Sequence, residues 1–229
     1  MSKKFKGKVC VYCGTQNTSD SGDHVFAKEF FLPDRRNNLP QVPACTKCNR
    51  KKSILEHYLT AVLPFGAKHA DAAINLETMV PPRLAKNRKL HYVLAQDRED
   101  FWVHEKGLFR PSTKIPFDST KLNQLFCLIV KGLMWYHWHV LLTPDIFVRA
   151  GCIRNTAEKL IHDFFDMNAS QRAGDDLGDG TIIYEGFQAV VSSYVSYWRF
   201  LVYGGVKLSD DPVTPWETST LICGSTSRK

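Results

Sequence analysis

Two pairs of cysteines constrain this chain more than any other feature. Cys10 and Cys13 form one C-x2-C, and after 31 intervening residues Cys45 and Cys48 form another. Two thiolates from each pair complete a tetrahedral shell around a single Zn(II), with no open position left for water, so the expected site is structural. Metal bound there contributes on the order of 10 kcal/mol of folding free energy, enough to hold a unit too small to support itself. Cys127, Cys152 and Cys223 follow no spacing rule and read as buried thiols acting as small hydrophobes.

The remaining composition is that of an ordinary globular protein, 44% hydrophobic and 23% charged over 229 residues. No stretch approaches the roughly 18 uninterrupted apolar residues of a membrane span, and the first lysines are not followed by an apolar run. A cytoplasmic protein with no membrane partner and no disulfide framework is expected. The net charge of +7 is unevenly placed. Residues 1–60 carry eleven cations against Asp20, Asp23, Glu29, Asp34 and Glu56, a surplus of six. A solubilising tail accounts for Lys3 to Lys8 but not for Lys47 to Lys52, and a polyanion is the natural partner of the second group.

The first sixty residues alternate knuckle, polar loop and short strands, at His24 to Phe26 and Gln41 to Ala44. A helix then runs from Thr46 to near Pro64. Further on, helices are expected from Asp71 to Met79, broken by Pro81-Pro82, and from Arg83 to about Ala95. The clearest helix starts at the cap candidates Asp118 and Ser119. Its apolar positions Leu122, Leu125, Phe126, Ile129, Val130, Leu133 and Met134 fall on one stripe. A shorter helix is expected from Thr156 to Met167, and an acidic glycine-rich loop from Gly174 to Gly180. Strands are expected at Thr181 to Val191, Ser196 to Tyr203 and Thr218 to Cys223. The fold class is α+β. A ββα unit over residues 1–64 precedes a helix-rich body, residues 65–229, closed by a small antiparallel sheet.

Between the knuckles lies a second constellation. Asp23 stands beside His24, and Asn49 directly follows the last cysteine, with Arg50, Lys51 and Lys52 after it. The shared zinc would bring Asp23 and His24 towards Asn49. A hard divalent ion suits an Asp carboxylate and an Asn carbonyl, and a free imidazole suits a general base. Lys52 shares a helix face with Asn49 and is expected to hold phosphate.

The combination of C-x2-C, Asp-His and C-x2-C-Asn-x2-Lys resembles the zinc-containing branch of the HNH (ββα-metal) endonucleases, over about residues 8 to 60. That resemblance implies phosphodiester hydrolysis of DNA, with RNA left open. His24 would be the general base, and Asp23 with Asn49 would hold a catalytic Mg(II) or Mn(II). Arg50, Lys51 and Lys52 are assigned to substrate. The family's middle Asn falls here on Pro40; Asn38 is the nearest replacement to orient His24. A homodimer would let two such sites cut both strands.

Two rival readings remain: a non-catalytic zinc module that binds nucleic acid, and an interaction protein whose later residues do the work. Several further features read as structure. His57 is too far along its helix to share a metal with Asn49, about 12 Å at 1.5 Å per residue. The run Trp135 to His139 is assigned to packing, as are Tyr194, Tyr197, Trp198, Phe200 and Tyr203. Asp175, Asp176 and Asp179 are assigned to a solvated turn.

Overall fold

The computed structural model describes residues 3–105, 107–153, 158–206 and 221–228. Strand β1 (Ser21–His24) pairs antiparallel with β2 (Gln41–Ala44), matching Asp23 with Val42 and His24 with Gln41. Helix α1 (Thr46–Val62) leaves directly from β2. The first strand lies upstream of the expected His24 to Phe26. Val25 and Phe26 instead turn into the core, where both are fully buried.

A short α2 (Ala70–Ile74) continues through a π-helical turn (Asn75–Met79) into α3 (Val80–Lys86). The expected break at Pro81-Pro82 does not occur: the helix runs on through both prolines, which directly follow the π-helical turn. The interruption comes at Asn87. Its side chain accepts from the Leu90 amide and caps α4 (Arg88–Gln96). Next comes a hairpin that the sequence reading missed, β3 (Glu99–Glu105) with β4 (Leu108–Lys114).

Helix α5 (Ser119–Trp138) organises the molecule. Asp118 caps it through the Lys121 amide, and His139 ends it in the left-handed conformation. The seven stripe positions are all buried. One flank meets the cysteine-bearing unit: Gly132 faces Val25 so closely that a Cβ would lie 2.9 Å from its methyl, and Lys131 donates to the Tyr12 carbonyl at 3.2 Å. Another flank meets the sheet, where the Phe126 and Phe200 rings lie 5.0 Å apart. Residues on both sides of position 64 therefore contribute to one continuous hydrophobic cluster.

That sheet has five antiparallel strands in the order β5 (Ile146–Ile153), β9 (Leu221–Arg228), β8 (Ser192–Val202), β7 (Ile182–Ala189), β6 (Arg172–Leu177). It is larger than expected, since β5 was missed. Part of the expected acidic loop also pairs as β6, the turn itself being confined to about residues 178–181. The expected last strand begins in residues 218–220, outside the described residues; the strand continues to Arg228.

Along β8, Trp198, Phe200 and Val202 alternate onto the buried face. On the other face α6 (Glu158–Met167) lays Phe165 against Phe187 and Tyr197. The first residues of the expected Thr156 to Met167 helix, 156–157, lie outside the described residues. The packing role expected for the aromatic run holds for Trp138 and His137, 5.0 Å and 6.0 Å from the Trp198 ring, whereas Tyr136 and His139 are exposed. Among the described residues no helix is long and apolar enough to cross a membrane.

Candidate metal centre and its surroundings

The four paired cysteines meet, as their spacing predicts. One ligand atom from each of Cys10, Cys13, Cys45 and Cys48 lies within 4.8 Å of all the others. Thiolates around a tetrahedral Zn(II) at about 2.3 Å stand roughly 3.8 Å apart, so a small contraction closes the shell. The donor set suits zinc, and all four thiols are free of disulfides.

Backbone hydrogen bonds prepare this convergence. In the first knuckle the Gly14 amide returns to the Cys10 carbonyl at 2.8 Å, with Gly14 at φ 73°, and the Cys10 amide meets the Thr15 carbonyl at 3.1 Å. The Val11 amide donates to Pro43 and the Asp20 amide to Ala44, fastening this knuckle to β2. Cys45 opens α1 but has no capping side chain of its own. Asp20 supplies the cap, accepting from the Thr46 amide at 2.8 Å and its hydroxyl at 2.7 Å. Those bonds hold the Asp20 carboxyl below its usual range.

Burial pushes Cys10 and Cys48 up. Cys13 is lowered to about 6: burial opposes the change, while hydrogen bonds with Thr15 favour it. A closed Zn(Cys)4 cluster carries two negative charges, which reduces the surplus of residues 1–60 from six to four.

Behind this cluster lies a buried polar network. Asp23 is 7% exposed, and its Oδ2 accepts from the Tyr12 hydroxyl at 2.5 Å. The same oxygen lies 3.1 Å from Lys52 Nζ. Lys52 has no exposed surface; its ammonium also donates to the His24 carbonyl at 2.7 Å and to Glu56. Burial raises both the Tyr12 hydroxyl and the Glu56 carboxyl, and the Lys52 charge partly opposes the Glu56 shift.

Lys52 was expected to face phosphate. One ammonium among two carboxylates and a carbonyl is instead satisfied inside the protein, which is the only cheap way to bury it. Asp23 consequently offers a poor seat for Mg(II) or Mn(II), since the carboxylate is already neutralised and a second cation beside a buried ammonium is repelled.

His24 lies on the other side of its strand. Adjacent residues of a strand point to opposite faces, and the His24 ring meets its cross-strand neighbour Gln41, Nε2 to Nε2, at 2.9 Å. Burial first, then the Lys28 charge, lower the His24 pKa, so the ring is neutral at pH 7. Asn38 does not orient it, being exposed in a turn at φ 57°. Gln41 is the residue the sequence reading missed. Its signal was the pairing of β1 with β2, which sets Gln41 opposite His24.

Asn49 is half-buried in the first turn of α1, where its amide donates to Cys45, one turn before Lys52. Among the described residues no hydrogen bond joins its side chain to Asp23 or His24. Arg50 and Lys51 are exposed on α1, as is Lys47. Lys47 and Lys51 line an open depression with Cys13, Thr18 and Thr46. His57 is exposed on the same helix. The acidic turn is structural: Asp176 accepts from the Gly180 amide and Asp179 pairs with Arg35. No known protein-family model matches this chain, and neither a curated protein nor a solved structure matches it.

Proposed function

We propose that this chain is a zinc-stapled module that binds nucleic acid. The observation that carries this reading is the division of labour on α1. Lys47, Arg50 and Lys51 are exposed on a helix that the cysteine cluster anchors at its first turn, whereas Lys52 is turned inward onto Asp23. Exposed cations on a rigid helix are suited to phosphate, and the amino-terminal lysines extend the same charge. Binding of a labelled 20-base-pair duplex, followed by fluorescence anisotropy, tests the proposal. Lys47→Glu/Arg50→Glu/Lys51→Glu with unchanged zinc content should weaken binding at least tenfold. Equal affinity in the triple variant would remove the reading.

A second reading is supported by one specific feature, a neutral His24 held by Gln41 within the cysteine-stapled unit. On this reading the chain is an HNH-type nuclease, in which the Gln41 amide gives up its bond to the His24 Nε2 lone pair so that His24 accepts the proton of an attacking water. Plasmid nicking in Mg(II), Mn(II) or EDTA separates the two readings. Cleavage that is lost in EDTA and in His24→Ala, with zinc retained, would establish the nuclease. Duplex binding without cleavage supports the binding module.

A further inference from the structure

The β3–β4 hairpin carries large exposed rings on one face, which no packing among the described residues accounts for. Register matches Asp100 with Thr113, Trp102 with Pro111 and His104 with Phe109, and alternation puts these three pairs on the same side. Trp102 is 68% exposed and Phe109 71%. His104 is also exposed, its ring 5.0 Å from that of Phe109. Just upstream in sequence, α4 carries Tyr92 at 67% exposure. Two-stranded ribbons gain little stability by themselves, so rings left in water on one are an unrecovered cost.

Charge points to the occupant. Residues 83–114 hold eight Lys and Arg against Asp97, Glu99, Asp100 and Glu105, a surplus of four. The near-neutral balance of residues 61–229 conceals this second basic concentration. Lys86, Arg88 and Lys89 are exposed immediately before and at the start of α4. The ring face contains Trp102, His104, Phe109 and Pro111, with Asp100 at its end already paired with Arg98 and Thr113. Exposed flat rings in a cation-rich segment suit unpaired bases, which stack on rings while cations neutralise their phosphates. A protein partner is the poorer fit. Seven-residue strands give a ribbon face of roughly 23 Å by 10 Å, about 230 Å², against the roughly 800 Å² per partner of a stable interface.

We infer that the β3–β4 ribbon is a stacking platform for single-stranded nucleic acid, with Trp102 and the His104–Phe109 pair each receiving a base and Lys86, Arg88 and Lys89 holding the backbone. This inference rests on the nucleic-acid reading above and adds the strand state of its ligand. Duplex contacts fall to α1 and single-strand contacts to the ribbon.

The test is anisotropy with a fluorescein-labelled dT20 and with a labelled 20-base-pair duplex. Trp102→Ala/Phe109→Ala should weaken dT20 binding by tenfold or more, the loss of two stacked bases, and leave duplex binding within twofold. Trp102→Phe, which keeps a ring, should retain dT20 binding within about threefold. Wild type that binds neither oligonucleotide would overturn this inference together with the proposed function. Binding of dT20 that survives the double substitution would overturn the ribbon assignment alone. Sedimentation of wild type as a dimer and of the double variant as a monomer would instead make a second copy the occupant, and would also overturn it.

Discussion

Lys52 Nζ lies 3.1 Å from Asp23 Oδ2 with no part of the lysine side chain exposed to water. A cation in that position is held by its partners alone, and Tyr12 and Glu56 complete the enclosure. The pair joins α1 to β1 inside the unit that carries the cysteines, so its energetics decide whether the unit keeps its shape.

Removing one member of such a network is costlier than replacing it whole, because the abandoned charge stays buried. Lys52→Met leaves Asp23 and Glu56 facing each other without a cation and should cost about 3–5 kcal/mol in urea denaturation. Asp23→Asn should cost less, since Glu56 still pairs the ammonium. Asp23→Asn/Lys52→Met should recover part of the Lys52→Met loss, the signature of coupled sites. A single-variant loss below about 1 kcal/mol would show that Lys52 is solvated in solution.

The cysteine cluster makes a separate prediction about metal. Cys48→Ser removes one of four ligands from a site whose binding free energy is also folding free energy. Zinc content should fall well below one per chain, and thermal unfolding should begin at lower temperature, in the variant and in chelator-treated wild type alike. Because α5 and the first unit share one core, the loss should reach the whole transition and not a detachable fragment. A variant that keeps stoichiometric zinc and an unchanged melting temperature would count against the four-cysteine site.

What the sequence disclosed, and what it hid, follows the range of the interactions involved. Spacing brought Cys10, Cys13, Cys45 and Cys48 together because a metal shell fixes its ligands regardless of the intervening loop. The α5 stripe was legible because a buried helix face imposes its own period. Lys52 misled because a lysine in a basic run reads as surface, and only the approach of Asp23 and Glu56, from a strand and from the next helical turn, recasts it as core. Gln41 was hidden for the same reason, since its role depends on register and not on its neighbours in sequence. The β3–β4 hairpin escaped notice because Phe101, Trp102 and Val103 run consecutively, so apolar and polar residues do not alternate cleanly along its strands.

Two histidines give the protein a pH dependence of predictable sign. Burial lowers the pKa of His24 and, with Asp175 opposing, that of His137, whose Nε2 meets the Tyr184 hydroxyl at 3.0 Å. A histidine depressed in the folded state binds its proton more readily when unfolded. Its contribution is therefore present above about pH 6.5 and is lost as pH falls through the lower, folded value. Urea midpoints should decline from pH 7 to pH 5.5, and less steeply in His137→Gln. In a two-dimensional NMR titration the His24 ring should titrate below 6.5. Gln41→Ala should move it back up, since water then reaches the imidazolium and no amide favours the neutral ring. A midpoint for His24 at or above 6.5 in wild type would contradict the buried contact with Gln41.

Salt distinguishes phosphate binding by α1 from a general attraction to a basic protein. Each phosphate neutralised on a duplex contributes about −0.9 to the slope of log affinity against log salt. Three side chains directed at phosphate should therefore account for a slope of about −2.7, and Lys47→Ala/Arg50→Ala/Lys51→Ala should flatten the wild-type slope by that amount. Lys52 predicts the opposite control. Its ammonium is committed to Asp23, so a Lys52→Met protein that still folds and retains zinc should keep the wild-type slope despite losing the same formal charge. If Lys52→Met flattens the slope as much as any exposed lysine does, the ammonium reaches phosphate after all. The Asp23 carboxylate would then be released when nucleic acid binds, and the nuclease reading would regain the vacant metal ligand it requires.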